Sequence, residues 1–179
     1  MIYIALLRGI NVSGQKKIKM ADLRTYLGDA GLQDVQTYIQ SGNIVFKSEN
    51  ADKAELAQKI SDEIKEAYGF DVPVLVLTAD YLQSVIEQNT YFKAGKDISK
   101  LYVTFLAEKP SEEKIATLEA VDYSPEEFIL HETHLDFYFP NGYGRSKLNN
   151  NFFERKLKVS ATTRNWKTIN KLLDMATDQ

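Results

Sequence analysis

The sequence predicts an α+β protein whose two halves repeat one order of strands and helices. Over the first half, apolar runs and amphipathic stretches follow as strand, helix, strand, strand, helix and strand, the order of the ferredoxin-like unit. The opening strands of the halves also read alike, with IYIALL at residues 2–7 and LYVTFL at residues 101–106. Because such self-similarity indicates internal duplication, we predict two ferredoxin-like halves, residues 1–90 and 91–179.

Local signals indicate each element of the first half. Leu23 and Leu27 lie four residues apart on one helix face, and Asp52 and Glu55 have the spacing of a capping box. The glycine and asparagine within residues 40–43 suit a hairpin turn. The predicted strands are residues 2–7, 35–39, 44–47 and 72–77, and the predicted helices are residues 20–30, a second that begins near Asp52 and a third that Thr78 caps.

The second half is predicted to repeat this order and then to end in two helices. Pro110 and Ser111 suit the first turn of a helix, and Leu135, Phe137 and Phe139 alternate as in a strand with one buried face. The predicted strands are residues 101–106, 128–131 and 135–139, and the predicted helices are one from residue 110, residues 148–157 and residues 165–176.

Composition excludes several kinds of site. The chain contains no cysteine, which rules out disulfides, a cysteine nucleophile and thiolate metal centres. Its only histidines are His131 and His134, and they lack both the spacing and the helical context of the zinc-protease motif. We therefore expect no metal site and no cofactor. The short apolar run at residues 2–7 matches neither a signal peptide nor a membrane span, so we expect a cytoplasmic protein.

Positive charge is concentrated in two segments. Residues 8–24 hold five basic residues and one acidic residue, and residues 141–171 hold eight basic residues and one acidic residue. The whole chain nevertheless has a net charge of −3, so the remainder is strongly acidic. This segregation indicates an anionic partner, although solvated basic helix faces would give the same pattern.

The loop at residues 8–19 is the first candidate binding segment. Gly9 and Gly14 have the spacing of a P-loop, but Gln15 and Lys16 occupy the places where that motif needs a lysine and a hydroxyl residue. A nucleotide-triphosphate site of that type is not expected. The loop could still bind an anion without being a P-loop, through free backbone amides and the four basic side chains of Arg8, Lys16, Lys17 and Lys19.

Two further segments bear on the ligand. Asn43 and Val45 occupy positions where an RNA recognition module carries stacking aromatics, so shared topology does not indicate shared function. Near the C-terminus, Thr163 is expected to cap the last helix and Arg164 to lie in its first turn. A cation is unfavourable at that end of the helix dipole unless an anion binds there.

Four motifs together resemble the bacterial domain-of-unknown-function family 1697. They are LRGINV at residues 7–12, KM at residues 19–20, TYIQSGN at residues 37–43 and TRNW at residues 163–166. The family pattern usually has two glycines where this chain has Ser13 and Gly14, and often a lysine at Gln15. The resemblance implies a duplicated ferredoxin-like fold and a joint role for the segments 8–19, 38–43 and 163–166, but no particular activity.

We therefore expect the chain to bind an anionic, phosphate-bearing ligand such as a nucleotide or nucleic acid. Two alternatives stay open: an enzyme that acts on a phosphorylated small molecule, and a protein–protein interaction module. Whether any reaction is catalysed, and by which residues, is left open, as is the oligomeric state. The three segments are expected to converge on one pocket, and the candidate ligand-binding residues are Arg8, Asn11, Lys19, Tyr38, Gln40, Asn43 and Arg164.

Overall fold

Both halves of the chain contain a four-stranded antiparallel sheet covered by helices. The computed structural model describes residues 1–178, which divide into a first unit (Met1–Val85 and the residues from Asn170 onward) and a second unit (Ile86–Ile169). The α+β class is therefore confirmed. Among the described residues, no helix combines the length and apolar character that crossing a membrane requires.

In the first unit the chain order is strand, helix, strand, strand, helix, strand. Its sheet has the order β2-β3-β1-β4, and β1 pairs antiparallel with both β3 and β4. The elements are β1 (Ile2–Leu7), α1 (Met20–Asp29), β2 (Gln33–Tyr38), β3 (Asn43–Lys47), α2 (Lys53–Tyr68) and β4 (Val74–Thr78), followed by α3 (Ala79–Gln88), which leads into the second unit.

The second unit has the same element order and an equivalent strand order, β6-β7-β5-β8. β5 pairs antiparallel with both β7 and β8. The elements are α4 (Thr90–Lys93), β5 (Leu101–Leu106), α5 (Glu112–Glu119), β6 (Glu127–Leu130), β7 (His134–Tyr138), α6 (Asn150–Leu157) and β8 (Ala161–Asn165). The last helix, α7 (Trp166–Thr177), begins in the second unit, and its residues from Asn170 onward belong to the first. The boundaries predicted at residues 90 and 91 stay a prediction.

Each unit buries its own core between sheet and helices. In the first unit Tyr3 stacks on Phe46 with ring centroids 5.7 Å apart, and Leu23 and Ile60 bring α1 and α2 onto the same face of the sheet. In the second unit an aromatic group centred on Phe137 joins the sheet to α6. Buried apolar area of this kind supplies most of the free energy of folding.

Strand β8 is the main departure from the sequence prediction. Residues 161–165 were expected to lead into a helix, but they pair with β5 in the register Thr104↔Thr163. The hydroxyl oxygens of these two threonines lie 2.7 Å apart, and Thr163 also donates to Oδ1 of Asn150 at 2.6 Å. Besides its backbone pairing, the strand is therefore held by one cross-strand threonine pair and by a hydrogen bond to the first residue of α6 in place of an apolar run.

Candidate functional site

The loop that follows β1 folds back on itself as a small hairpin. The backbone amide of Asn11 donates to the carbonyl of Lys16 at 3.1 Å. Ser13 and Gly14 at the tip both have positive φ, 51° and 76°, as the two central residues of a type I′ turn do. The loop thus has a defined backbone that exposes its tip to solvent.

The side chain of Asn11 holds this loop against the turn between β2 and β3. Its Nδ2 donates to the carbonyls of Ile18 at 3.0 Å and Gln40 at 2.8 Å, and its Oδ1 accepts from the amide of Ile18 at 2.9 Å. The asparagine therefore acts on both segments at once. Two of the three segments that the sequence singles out are in direct contact within the first unit.

The turn itself is fixed by Gly42 and Asn43. Nδ2 of the buried Asn43 donates to the carbonyl of Tyr38 and to Oγ of Ser41, both at 3.0 Å. The carbonyl of Gly42 accepts from the amide of Leu7 at 2.8 Å. The side chains of Asn11 and Asn43 thus hydrogen-bond to backbone groups of the protein and, for Asn43, also to the hydroxyl of Ser41.

The remaining candidates of the first unit lie around this hairpin. Arg8 is half-buried directly after β1, Lys19 is exposed directly before α1, Tyr38 is half-buried at the end of β2 and Gln40 is exposed in the turn. The candidate residues of the first unit thus all lie in two segments that contact each other, residues 8–19 and residues 38–43.

Lys16 differs from the other cations of the loop. Its Nζ donates to the carbonyl of Asp71 at 2.6 Å and lies 5.9 Å from the centre of the Phe70 ring. Lys17 and Lys19 are exposed. The lysines that face solvent are therefore the ones placed to meet a charged ligand.

Arg164 lies in strand β8 and not at a helix N-terminus, which corrects the sequence prediction. The helix-dipole argument for an anion at Arg164 is therefore wrong. The residue that caps α7 is Asn165, whose Oδ1 accepts from the amide of Thr168 at 2.8 Å, and Thr163 bonds to Asn150 instead. The predicted joint role of Arg164 with the first-unit segments stays a prediction.

The environment of Arg164 is nearly dry. Its side chain is buried, and its Nη1 donates to the carbonyl of Thr163 at 2.9 Å. Burial lowers the pKa of Arg164 to about 10, which still leaves the guanidinium charged at neutral pH. A buried cation of this kind is costly to desolvate, so its contacts matter for folding as well as for any ligand.

A second polar cluster, which the sequence did not predict, lies on the β6–β7 hairpin. His131 follows β6, His134 opens β7, and Asp136 is two residues further along β7. The imidazole planes of the histidines stack at 11° with centroids 4.2 Å apart, and Nε2 of His131 lies 3.0 Å from Oδ2 of Asp136. The alternation of His134 with Asp136 along a strand is the sequence signal that could have revealed the third member.

Burial dominates the acid–base properties of this cluster. Burial, together with the smaller effect of the neighbouring His131, lowers the pKa of His134 to about 4. Burial also raises the pKa of Asp136, while His131 and the buried side chain of Asn89 act in the opposite direction. His134 is therefore neutral at physiological pH, with an imidazole nitrogen able to bind a Lewis acid.

A cleft of about 520 Å³ opens beside this hairpin. Its wall consists of aromatic and aliphatic side chains together with four carboxylates, those of Glu119, Asp122, Glu126 and Glu127. A cleft with this charge repels anions, so it does not suit the ligand that the basic loop suggests.

The fold and these sites define a class, namely α+β proteins with two similar units of four antiparallel strands. The chain belongs to the family described as protein of unknown function (DUF1697), whose model matches residues 1–135. This confirms the resemblance carried by the motifs.

A solved structure of a conserved bacterial protein from Streptococcus pneumoniae is similar over nearly the whole length. The two share 28% sequence identity with a TM-score of 0.76, and the match covers 98% of each chain. No curated protein matches this chain.

Proposed function

We propose that the basic loop, residues 8–19, binds an anionic, phosphate-bearing ligand such as a nucleotide or the backbone of a nucleic acid. The observation that carries this proposal is the clamp formed by Asn11: two of its hydrogen bonds, to Ile18, close the loop, and the third, to the carbonyl of Gln40, joins the loop to the β2–β3 turn. A preorganised loop loses little conformational entropy when a ligand binds.

The backbone of the loop suits an anion. Five of its residues have positive φ: Gly9, Asn11, Ser13, Gly14 and Lys16. Left-handed residues next to right-handed ones turn N–H groups toward one side, which is the geometry of anion-binding concavities. The amides of Asn11 and Gln15 already donate within the loop, so the other loop amides are the donors that would recognise phosphate oxygens.

Cations next to this backbone supply the charge. Arg8 stands at the base of the loop, and Lys17 and Lys19 are exposed beyond its tip. An arginine can grip two phosphate oxygens as a fork, whereas a lysine adds a point charge. Because most of the chain outside the two basic segments is acidic, an anion would concentrate at those segments, of which this loop is one.

Calorimetry on the full chain tests the proposal with inorganic pyrophosphate, ATP and a short single-stranded oligonucleotide as probes. Arg8→Ala should weaken binding by about 1.5–3 kcal/mol, the range for hydrogen bonds to charged groups. Lys53→Ala, which removes an exposed lysine from the first turn of α2, is the matched control and should bind like the wild type. Absence of saturable binding for all three probes, or an equal loss in the control, contradicts the proposal.

We also propose that the two units are ferredoxin-like copies of one ancestral unit. Their shared element order and equivalent strand orders support this. Superposition of the two units should align β1 through β4 with β5 through β8 in one register. A register shift of one residue between the units would turn the opposite face of a strand toward the helices, and it would contradict the proposal that both units descend from one ancestral unit.

A further inference from the structure

On the β6–β7 hairpin, three side chains of types that can bind a metal ion lie close together, although they match no known metal-binding sequence motif. The amide of His131 donates to the carbonyl of His134 at 2.8 Å, which sets the two histidines opposite each other. His134 and Asp136 are two residues apart on β7 and so share one face. One ligand atom from each of the three side chains lies within 4.8 Å of the others.

We propose that His131, His134 and Asp136 form a binding site for a divalent transition-metal ion. Nε2 of His131 lies 3.0 Å from Oδ2 of Asp136, and Nε2 of His134 lies 3.8 Å from Oδ1 of the same carboxylate. Ligands about 2.1 Å from a tetrahedral zinc ion stand roughly 3.4 Å from each other. The observed spacings lie on both sides of that value, so small side-chain rotations bring all three to a common ion.

The carboxylate of Asp136 is the strongest independent indication that a cation binds at this cluster. Its side chain is only 1% exposed, yet Oδ1 makes no hydrogen bond of ordinary length within residues 1–178: Nε2 of His134 stands 3.8 Å away, and the side-chain amide of Asn89 also faces this carboxylate. A buried carboxylate oxygen without a close hydrogen bond is costly, and a bound cation would remove that cost. His131 is 28% exposed, which leaves an approach from solvent.

The donor set favours one class of ion. Two imidazoles and one carboxylate, with positions left for water, suit zinc, iron(II) or cobalt(II), whereas calcium and magnesium prefer all-oxygen ligands. The expectation of no metal site rests on two histidines with the wrong spacing for a helix. On the strands, the pairing across the hairpin brings the two histidines together, and Asp136 adds a third ligand that the histidine motif does not include.

Zinc binding by the untagged, chelator-treated full chain tests this site. Equilibrium dialysis with Zn²⁺ should find about one ion per chain, and Co²⁺ should give visible absorption bands from imidazole coordination. His131→Gln changes the most exposed ligand and should weaken Zn²⁺ binding by more than about tenfold, since even residues behind the ligands contribute that much. Asp136→Asn should abolish it.

Glu132→Gln is the matched control, because Glu132 is an exposed carboxylate in the same hairpin and outside the cluster. It should bind Zn²⁺ like the wild type. If Asp136→Asn does not fold, His131→Gln alone decides. Absence of saturable Zn²⁺ binding in the wild type, or equal binding in His131→Gln, would leave the cluster as a buried histidine–aspartate ion pair and overturn the proposal.

Discussion

At Gly42 the backbone leaves no room for a side chain. A Cβ at this position would stand 2.6 Å from Cβ of Leu7 and 2.8 Å from Cδ1 of Ile10, and φ is +81°. Gly42→Ala should therefore lower the free energy of unfolding by at least about 2 kcal/mol, through overpacking and left-handed strain together. Urea denaturation measures the change.

Gly69→Ala is the control for this substitution. Its φ of +78° is nearly the same, but no atom lies within 4 Å of the added Cβ. It should lower the free energy of unfolding by only about 1 kcal/mol, the cost of strain alone. Equal losses in the two variants would show that the close approach at Gly42 does not matter.

Asn11 offers a second test of a single residue. Asn11→Asp keeps the shape and the acceptor oxygen but replaces the donating Nδ2 with an oxygen that faces two carbonyls. We expect a loss of about 1 kcal/mol in the free energy of unfolding, because two carbonyls that are only partly shielded from water lose their donor and face a carboxylate oxygen. Asn141→Asp makes the same charge change at an exposed site and should be neutral by the same measurement.

The sequence allowed part of this site to be predicted. The Gly and Asn of residues 40–43 indicated a turn, and the family motifs singled out residues 8–19 and 38–43, which the structure brings into contact. What the pattern could not provide was the role of each side chain. Whether Asn11 faces a ligand or a carbonyl depends on the path of a segment 29 residues away, which no local signal encodes.

Among the elements, the cap of α2 was predicted correctly, whereas the cap of α7 and the polar strand β8 were not. Asp52 caps α2 as expected, since its Oδ1 accepts from the amides of Ala54 and Glu55. Strand β8 was missed because its sequence, ATTRN, contains no apolar run and its threonines also suit a helix start. Thr residues favour strands where cross-strand partners are present, and those partners are set by the tertiary fold.

The caps provide a prediction at this scale. Asp52→Ala should lower the free energy of unfolding by about 1 kcal/mol, because two amides of the first turn of α2 lose their acceptor. Ser111 occupies the equivalent position before α5 but makes no capping hydrogen bond with its side chain. Ser111→Ala should therefore cost clearly less, and an equal loss in the two variants would contradict this assignment of the caps.

For the whole molecule, the repeated order of elements predicted the α+β class and one sheet in each half. It succeeded because long amphipathic helices and buried strands dominate the pattern of both units. The last stretch of the second unit was less predictable, since its fourth strand is polar. Charge segregation indicated an anionic partner, but a charge count alone does not locate the surface that binds it.

Chemical-shift mapping of backbone amides during a titration with inorganic pyrophosphate tests the central claim most directly. The full chain, labelled with ¹⁵N, should show saturable shifts concentrated at residues 8–19 and 39–43, because the loop amides and the adjoining turn meet the anion. The same titration of Asn11→Asp should show weaker binding at those residues. Shifts that do not saturate, or that centre on segments away from the basic loop, would contradict the proposed function.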